Sequence, residues 1–140
     1  MLGFTIPGGG SEMPLTKENI NNSHQFFQMN GKAVFASALQ FLPKAISQIL
    51  KDTNLTIEDI DLMIPHQPSI RILQKIAEII GLPFDKVMHN MEKYANTSGA
   101  TIPILLDECK RSNKIKSNDI ILFVAIGSGW TYGASIIKWI

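Results

Sequence analysis

A single cysteine stands among 140 residues, so no internal disulfide can form, which fits a reducing compartment. Neither sign of charge dominates: 13 basic and 12 acidic residues leave a formal net charge of +1. That balance offers no electrostatic footprint for nucleic acid or an anionic membrane, and neither is expected as a partner. No apolar run approaches the ~18 residues that a membrane span needs. The opening Met1–Pro7 lacks a basic leader and a long apolar stretch, which argues against a signal peptide. His24, His66 and His89 share no metal-like spacing, so no metal site is expected. Cytoplasmic is the expected location.

What is present fits an ordinary folded domain. With 45% hydrophobic and 18% charged residues, the chain carries enough apolar material to argue against disorder and for one domain with its own core. Residues 1–30 read as a loop-rich entry segment, with Pro7-Gly8-Gly9-Gly10-Ser11 as its turn-rich part. A helix is expected from Lys32 to Lys51, kinked by Pro43. Thr56–Asp59 reads as a capped turn, and Ile60–Ile64 as a buried strand ending at Pro65. Pro68 is placed as the first residue of a helix reaching Ile80, stopped by Gly81 and Pro83. Lys86–Met91 reads as a strand. Asn96, Thr97 or Ser98 then caps a helix to Arg111. Asp119–Ile126 is the clearest strand, and Ala134–Ile140 reads as its hairpin partner.

That alternation is an α/β pattern: a mixed sheet flanked by helices. In such sheets ligands gather at the carboxyl ends of strands. His66, Asn96 and the Gly127-Ser128-Gly129 turn all follow predicted strand ends, which is where chemistry is sought. His66 lies between Pro65 and Pro68, which stiffen its backbone; a neutral imidazole there can donate a hydrogen bond to developing charge, or simply cap a helix. Asn96 is either a helix cap or, if Thr97 or Ser98 caps, a free amide donor. The Gly-Ser-Gly turn is either a plain hairpin or a source of a backbone oxyanion donor at Ser128. Cys109 falls on the apolar face of its helix with Ile102, Leu105 and Leu106 and reads as a core residue, not a nucleophile. Arg71, Lys75 and Lys32 form either solvated surface or a basic rim for an acidic carrier or a phosphate.

From Met29-Asn30-Gly31 onward the chain resembles the C-terminal half of 3-oxoacyl-acyl-carrier-protein synthase III, a condensing enzyme of thiolase-like fold. The resemblance rests on Met29-Asn30-Gly31-Lys32-Ala33-Val34-Phe35, Ile64-Pro65-His66-Gln67 with Arg71-Ile72, Asn96-Thr97-Ser98 with Ile102-Pro103 and Leu106-Asp107-Glu108, and Gly127 through Gly133. It implies a C-terminal-type domain over 31–140, a half-domain whose first strand and whose N-terminal half are missing. It further implies that His66 and Asn96 hydrogen-bond the thioester carbonyl of a malonyl-carrier protein during decarboxylation. The Ser128 N–H would be half of an oxyanion hole. Arg71, Gly31, Gln67 and Lys32 would contact substrate, CoA or carrier.

No resident cofactor is implied; CoA and carrier phosphopantetheine thioesters are the substrates. The implied partners are acyl-CoA, acyl carrier protein, an N-terminal half bearing the nucleophilic cysteine, and a second copy of the enzyme. The chain alone is expected to be inactive and to expose an apolar face. Several positions depart from the family: Pro68-Ser69 stand where Ala-Asn is usual, Ala95 and Ser128 replace glycines, and Tyr132 replaces a tryptophan. Two other roles stay open: a non-catalytic carrier-binding subunit, and acyl transfer to a hydroxyl or amine without decarboxylation.

Overall fold

The computed structural model describes residues 4–140, and of the entry segment and the Met1–Pro7 leader reading the first three residues lie outside it. The chain divides into two compact units, one up to Ser37 and one from Ala38 onward. In the N-terminal unit the entry segment is less irregular than its glycines suggest. β1 (Phe4–Thr5) pairs antiparallel with β2 (Gln28–Met29), and the Phe4 and Phe27 rings lie 4.8 Å apart. The ribbon leaves Phe26, Phe27 and Met29 exposed.

Helix α1 (Gly31–Thr53) starts where the Asn30 side-chain oxygen accepts from the Ala33 N–H, and it runs through Pro43 with no break in its helical assignment. Lys32, Lys44 and Lys51 interrupt its apolar residues, so no unbroken apolar run of about 18 residues occurs in it. Over its 23 residues α1 is long and apolar enough to cross a membrane by length and composition. Its Ala38, Leu42 and Ile46 are nonetheless buried in a core cluster with the sheet.

In the unit from Ala38 onward the sheet has the order β3-β4-β5. β3 (Leu62–Pro65) lies parallel to β4 (Ile120–Ile126), which pairs antiparallel with β5 (Tyr132–Lys138). Successive strand residues point to opposite faces, and the two core clusters divide on that rule. Met63, Leu122 and Val124 pack with α1 and with Ile72, Leu73 and Ile76 of α2 (Ile70–Ile80). Ile64 and Ile121 point the other way, toward Leu105 and Cys109 of α4 (Thr101–Arg111). The result is a mixed sheet between helical layers. β5 is an edge strand among the described residues, with Tyr132 and Ile137 exposed beside a terminal Ile140.

Three local expectations are revised. Ser69, not Pro68, sets the start of α2: its hydroxyl accepts from the Ile72 N–H at 3.2 Å, which puts Pro68 one residue outside the cap. The stretch 86–91 is not a strand. Phe84–Lys86 forms a 3-10 turn, Val87 makes one parallel bridge to Met63, and the chain then turns into α3 (Met91–Tyr94). The competing influence is side-chain bonding: the Lys86 ammonium donates to the Ile60 carbonyl and Asn90 is held by Gln67. Finally, α4 begins at Thr101 after a 3-10 turn over Ser98–Ala100, later than a cap at residues 96–98 implies.

Helix α2 tests this layering. Ile76 is fully buried and Ile79 is 48% exposed on the same helix. Urea unfolding should show Ile76→Ala losing about 2–5 kcal/mol. Ile79→Ala should stay within about 0.5 kcal/mol.

Candidate active site

Because β3 and β4 are parallel with Pro65 opposite Val124, their carboxyl ends open on the same edge of the sheet. His66 is the next residue after β3, and its N–H extends the ladder to the Val124 carbonyl at 2.8 Å. The imidazole is therefore carried on backbone fixed by the sheet. Its pKa is lowered, chiefly because burial disfavours the charged ring; an opposing hydrogen bond to the Ser98 backbone raises it. A contact that favours the protonated ring is an N–H donated to a carbonyl. Ser98, whose backbone contributes that opposing shift, belongs to the turn that holds Asn96.

That turn is tightly specified. The Asn96 side-chain oxygen accepts from the Ser98 N–H at 2.9 Å, while the Thr101 hydroxyl donates to the Ser98 carbonyl at 2.8 Å. Asn96 is exposed, and its side-chain nitrogen donates to no partner among the described residues. Ala95 has φ 54° and ψ −146°, and Ser98 has φ 55°. These are conformations that favour glycine, and holding a side chain in them costs about 1–3 kcal/mol each.

Ser128 lies beyond the end of β4 in a 3-10 turn, closed where the Gly127 N–H donates to the Thr131 carbonyl at 2.8 Å. It stands at the carboxyl end of β4, the edge at which His66 also lies. Gly129 supplies the positive φ of 72° that the turn requires.

The remaining candidate residues fall elsewhere. Gln67 is fully buried: its amide nitrogen donates to the Asn90 side-chain oxygen at 2.8 Å, and its oxygen accepts from the Asn90 N–H at 3.0 Å. Both ends of the amide are thus engaged inside the protein, and the side chain is fully buried among the described residues. Arg71 is exposed on α2, whereas Lys75 is paired with Glu78 at 2.7 Å. Gly31 and Lys32 are exposed at the start of α1, in the N-terminal unit. Cys109 is buried with Ile64, Leu105 and Ile121, and burial raises its thiol pKa, so it is a poor thiolate.

Sequence reasoning missed Asn90 and Glu108 as parts of the site. The Asn90 amide donates to Glu108 at 2.6 Å, and the Tyr94 hydroxyl donates to the same carboxylate at 3.0 Å. Glu108 was visible only as part of a Leu-Asp-Glu motif, and nothing in a single sequence pairs it with residues 14 or 18 positions away.

A mixed sheet between helices, with its two parallel strands opening on one edge, is an α/β domain of the thiolase-like class. The family described as 3-oxoacyl-[acyl-carrier-protein (ACP)] synthase III C terminal matches residues 50–139, and the chain belongs to that family. It is 44% identical over 135 residues to a beta-ketoacyl-[acyl-carrier-protein] synthase III of Caldanaerobacter subterraneus subsp. tengcongensis, covering 96% of this chain and 40% of that protein. To the protein of the same name in Clostridioides difficile it is 39% identical, covering 96% of this chain and 41% of that one. Among solved structures, the 3-oxoacyl-[acyl-carrier-protein] synthase III of Aquifex aeolicus VF5 superposes with a TM-score of 0.80 at 36% identity, over 82% of this chain and 37% of that one. The chain thus spans about 40% of the length of the curated relatives it matches.

Two outcomes are expected. The His66 ring should titrate by NMR with a midpoint below 6.5. Above about 6.5 the ring is neutral in both folded and unfolded chains, so burial costs nothing. As pH falls below that value the unfolded chain takes the proton first, and stability is lost until the folded midpoint is passed. His66→Ala should flatten that acid-side loss. Separately, Ala95→Gly should raise the unfolding free energy by about 1 kcal/mol, because relief of the strained φ exceeds the entropy cost of glycine.

Proposed function

We propose that this chain supplies the His/Asn half of a condensing acyltransferase site, which joins an acyl thioester to a malonyl-carrier thioester in fatty-acid or related biosynthesis. The observation that carries this reading is the placement of His66 directly after β3, its N–H on the Val124 carbonyl at 2.8 Å, at the edge where the parallel strands end. His66 and the Asn96 amide nitrogen then share the thioester carbonyl of the malonyl group. Loss of carbon dioxide leaves an enolate whose negative charge falls on that oxygen. Donors aimed at charge that grows only in the transition state raise the rate rather than only the affinity. The enolate carbon attacks an acyl group held as a thioester on a cysteine, and the cysteine leaves as thiolate. The Ser128 N–H and the N–H of that cysteine hold the oxyanion of the tetrahedral intermediate.

The proton inventory adds a condition. A neutral imidazole has one N–H and an imidazolium two. Burial favours the neutral ring, whose single N–H is then the donor available to the substrate carbonyl.

The nucleophile belongs to an N-terminal half, since Cys109 is buried in the core. That half, acyl-CoA, acyl carrier protein and a second copy of the enzyme are the proposed partners. No resident cofactor is needed for these steps, and the cytoplasm is the proposed location. Arg71 is the proposed carrier contact, with Lys32 and Gly31 serving CoA or carrier. One observation favours a variant chemistry, acyl transfer to a hydroxyl or amine. Ser69 stands where the family has an asparagine, and its hydroxyl is used to cap α2.

The test is acyl transfer by the chain joined with an N-terminal half. The chain alone should show none. In the assembled enzyme, His66→Ala and Asn96→Ala should each lower decarboxylation about 100–1000-fold. Cys109→Ser should leave the rate unchanged, and turnover with acyl label on Cys109 would defeat the assignment.

A further inference from the structure

A chain of buried and half-buried polar groups runs behind the site, and none of its members faces substrate in the reading above. Gln67 directly follows His66, and it forms a closed two-bond pair with Asn90, at 2.8 and 3.0 Å. Asn90 passes its remaining donor to Glu108 on α4 at 2.6 Å. The other oxygen of Glu108 accepts from the Tyr94 hydroxyl at 3.0 Å and from the Lys93 ammonium at 3.4 Å. Tyr94 ends α3, and the strained Ala95 alone separates it from Asn96. One carboxylate therefore holds two segments: the start of the His66 segment through Asn90 and Gln67, and the start of the Asn96 turn through Tyr94.

The geometry points to Glu108 as a positioning residue that fixes the separation of His66 and Asn96, with Tyr94 and Asn90 as its two arms. This rests on the condensing-site reading only for its catalytic consequence; the structural part stands by itself. Hydrogen bonds to a charged carboxylate are shorter and stronger than neutral ones, which suits a group that must hold two backbones in register. Its side chain is 27% exposed, so solvent reaches it on one side while the Asn90 end is enclosed. The strain at Ala95 gives the anchor its purpose: a turn held in a costly conformation relaxes unless both of its ends are tied.

The experiment has two arms. In the chain alone, NMR should detect contacts between the His66 ring and Ser98. Tyr94→Phe removes one hydroxyl from an exposed position and leaves the core intact; Glu108→Gln keeps the shape and removes the charge. Both should weaken the His66–Ser98 contacts severalfold, with the sheet and α2 resonances unmoved. Unchanged contacts in Tyr94→Phe and Glu108→Gln overturn the proposal. In the assembled enzyme, both variants should lower kcat about tenfold or more with KM within twofold. Combined with the double variant His66→Ala, Asn96→Ala they should add no further loss, because they act through those two side chains. A purely structural role would instead lower the amount of folded enzyme and add to the effect of that double variant, which overturns the proposal. If His66→Ala itself retains full activity, the condensing-site reading fails, whereas the NMR arm still decides the anchor.

Discussion

The last bond of the β3–β4 ladder runs from the His66 N–H to the Val124 carbonyl at 2.8 Å, and the site is built outward from it. A parallel pair sends both strands toward the same edge, so the residue after β3 and the turn after β4 must emerge together. A slip of one residue in this register would exchange Met63 with Ile64 between the two core clusters. Both faces of the sheet are buried in these strands, so such a slip is opposed by the whole core. The imidazole inherits that rigidity without any catalytic group having to provide it. Rigid backbone beneath a donor is what electrostatic stabilisation of a transition state requires.

Position along the sheet edge does not by itself set the distance between His66 and Asn96. Asn96 sits on a turn between short elements, with Ala95 and Ser98 both at positive φ. A turn of that kind relaxes unless its surroundings over-determine it. The Asn96 oxygen on the Ser98 N–H and the Thr101 hydroxyl on the Ser98 carbonyl hold its inside. The carboxylate of Glu108 holds its entrance through Tyr94. Strain and an available donor coincide here: the residues that break local backbone preference flank Asn96, whose side-chain nitrogen donates to no partner among the described residues.

Much of this was legible in the sequence, for reasons that can be assigned residue by residue. The apolar stripe of α2 and the stop at Gly81, whose φ is 75°, are local signals and gave the helix within two residues. The seven apolar residues Ile120–Ile126 marked β4, and the turn residues after it marked the hairpin. Cys109 lay on a helical apolar face and is buried there. What could not be read depends on long-range partners. Lys86–Met91 has the composition of a strand, but Asn90 is tied across 23 residues to Gln67, and this bends the chain into α3 instead. Gln67 lies in the motif beside His66, and both ends of its buried amide are engaged by Asn90. A single sequence shows which groups can hydrogen-bond, not which have already done so.

The same distinction bears on why the reactive sulfur should lie on a different segment. A nucleophilic thiolate needs a partly exposed, electropositive setting, whereas Cys109 sits between Leu105 and Ile121 with its pKa pushed up by burial. Moving it outward would break the packing of α4 on the sheet, because Cys109 is one of the few α4 residues that reach the second core cluster. The helix that anchors the polar site through Glu108 thus presents its thiol to the opposite task. On α4, residues 108 and 109 are one step apart, so about 100° of helical rotation separates a carboxylate that serves the site from a sulfur that serves the core. In the proposed two-segment site that conflict does not arise: this chain would hold the donors rigidly, and the other segment would bring the nucleophile without being asked to form this core.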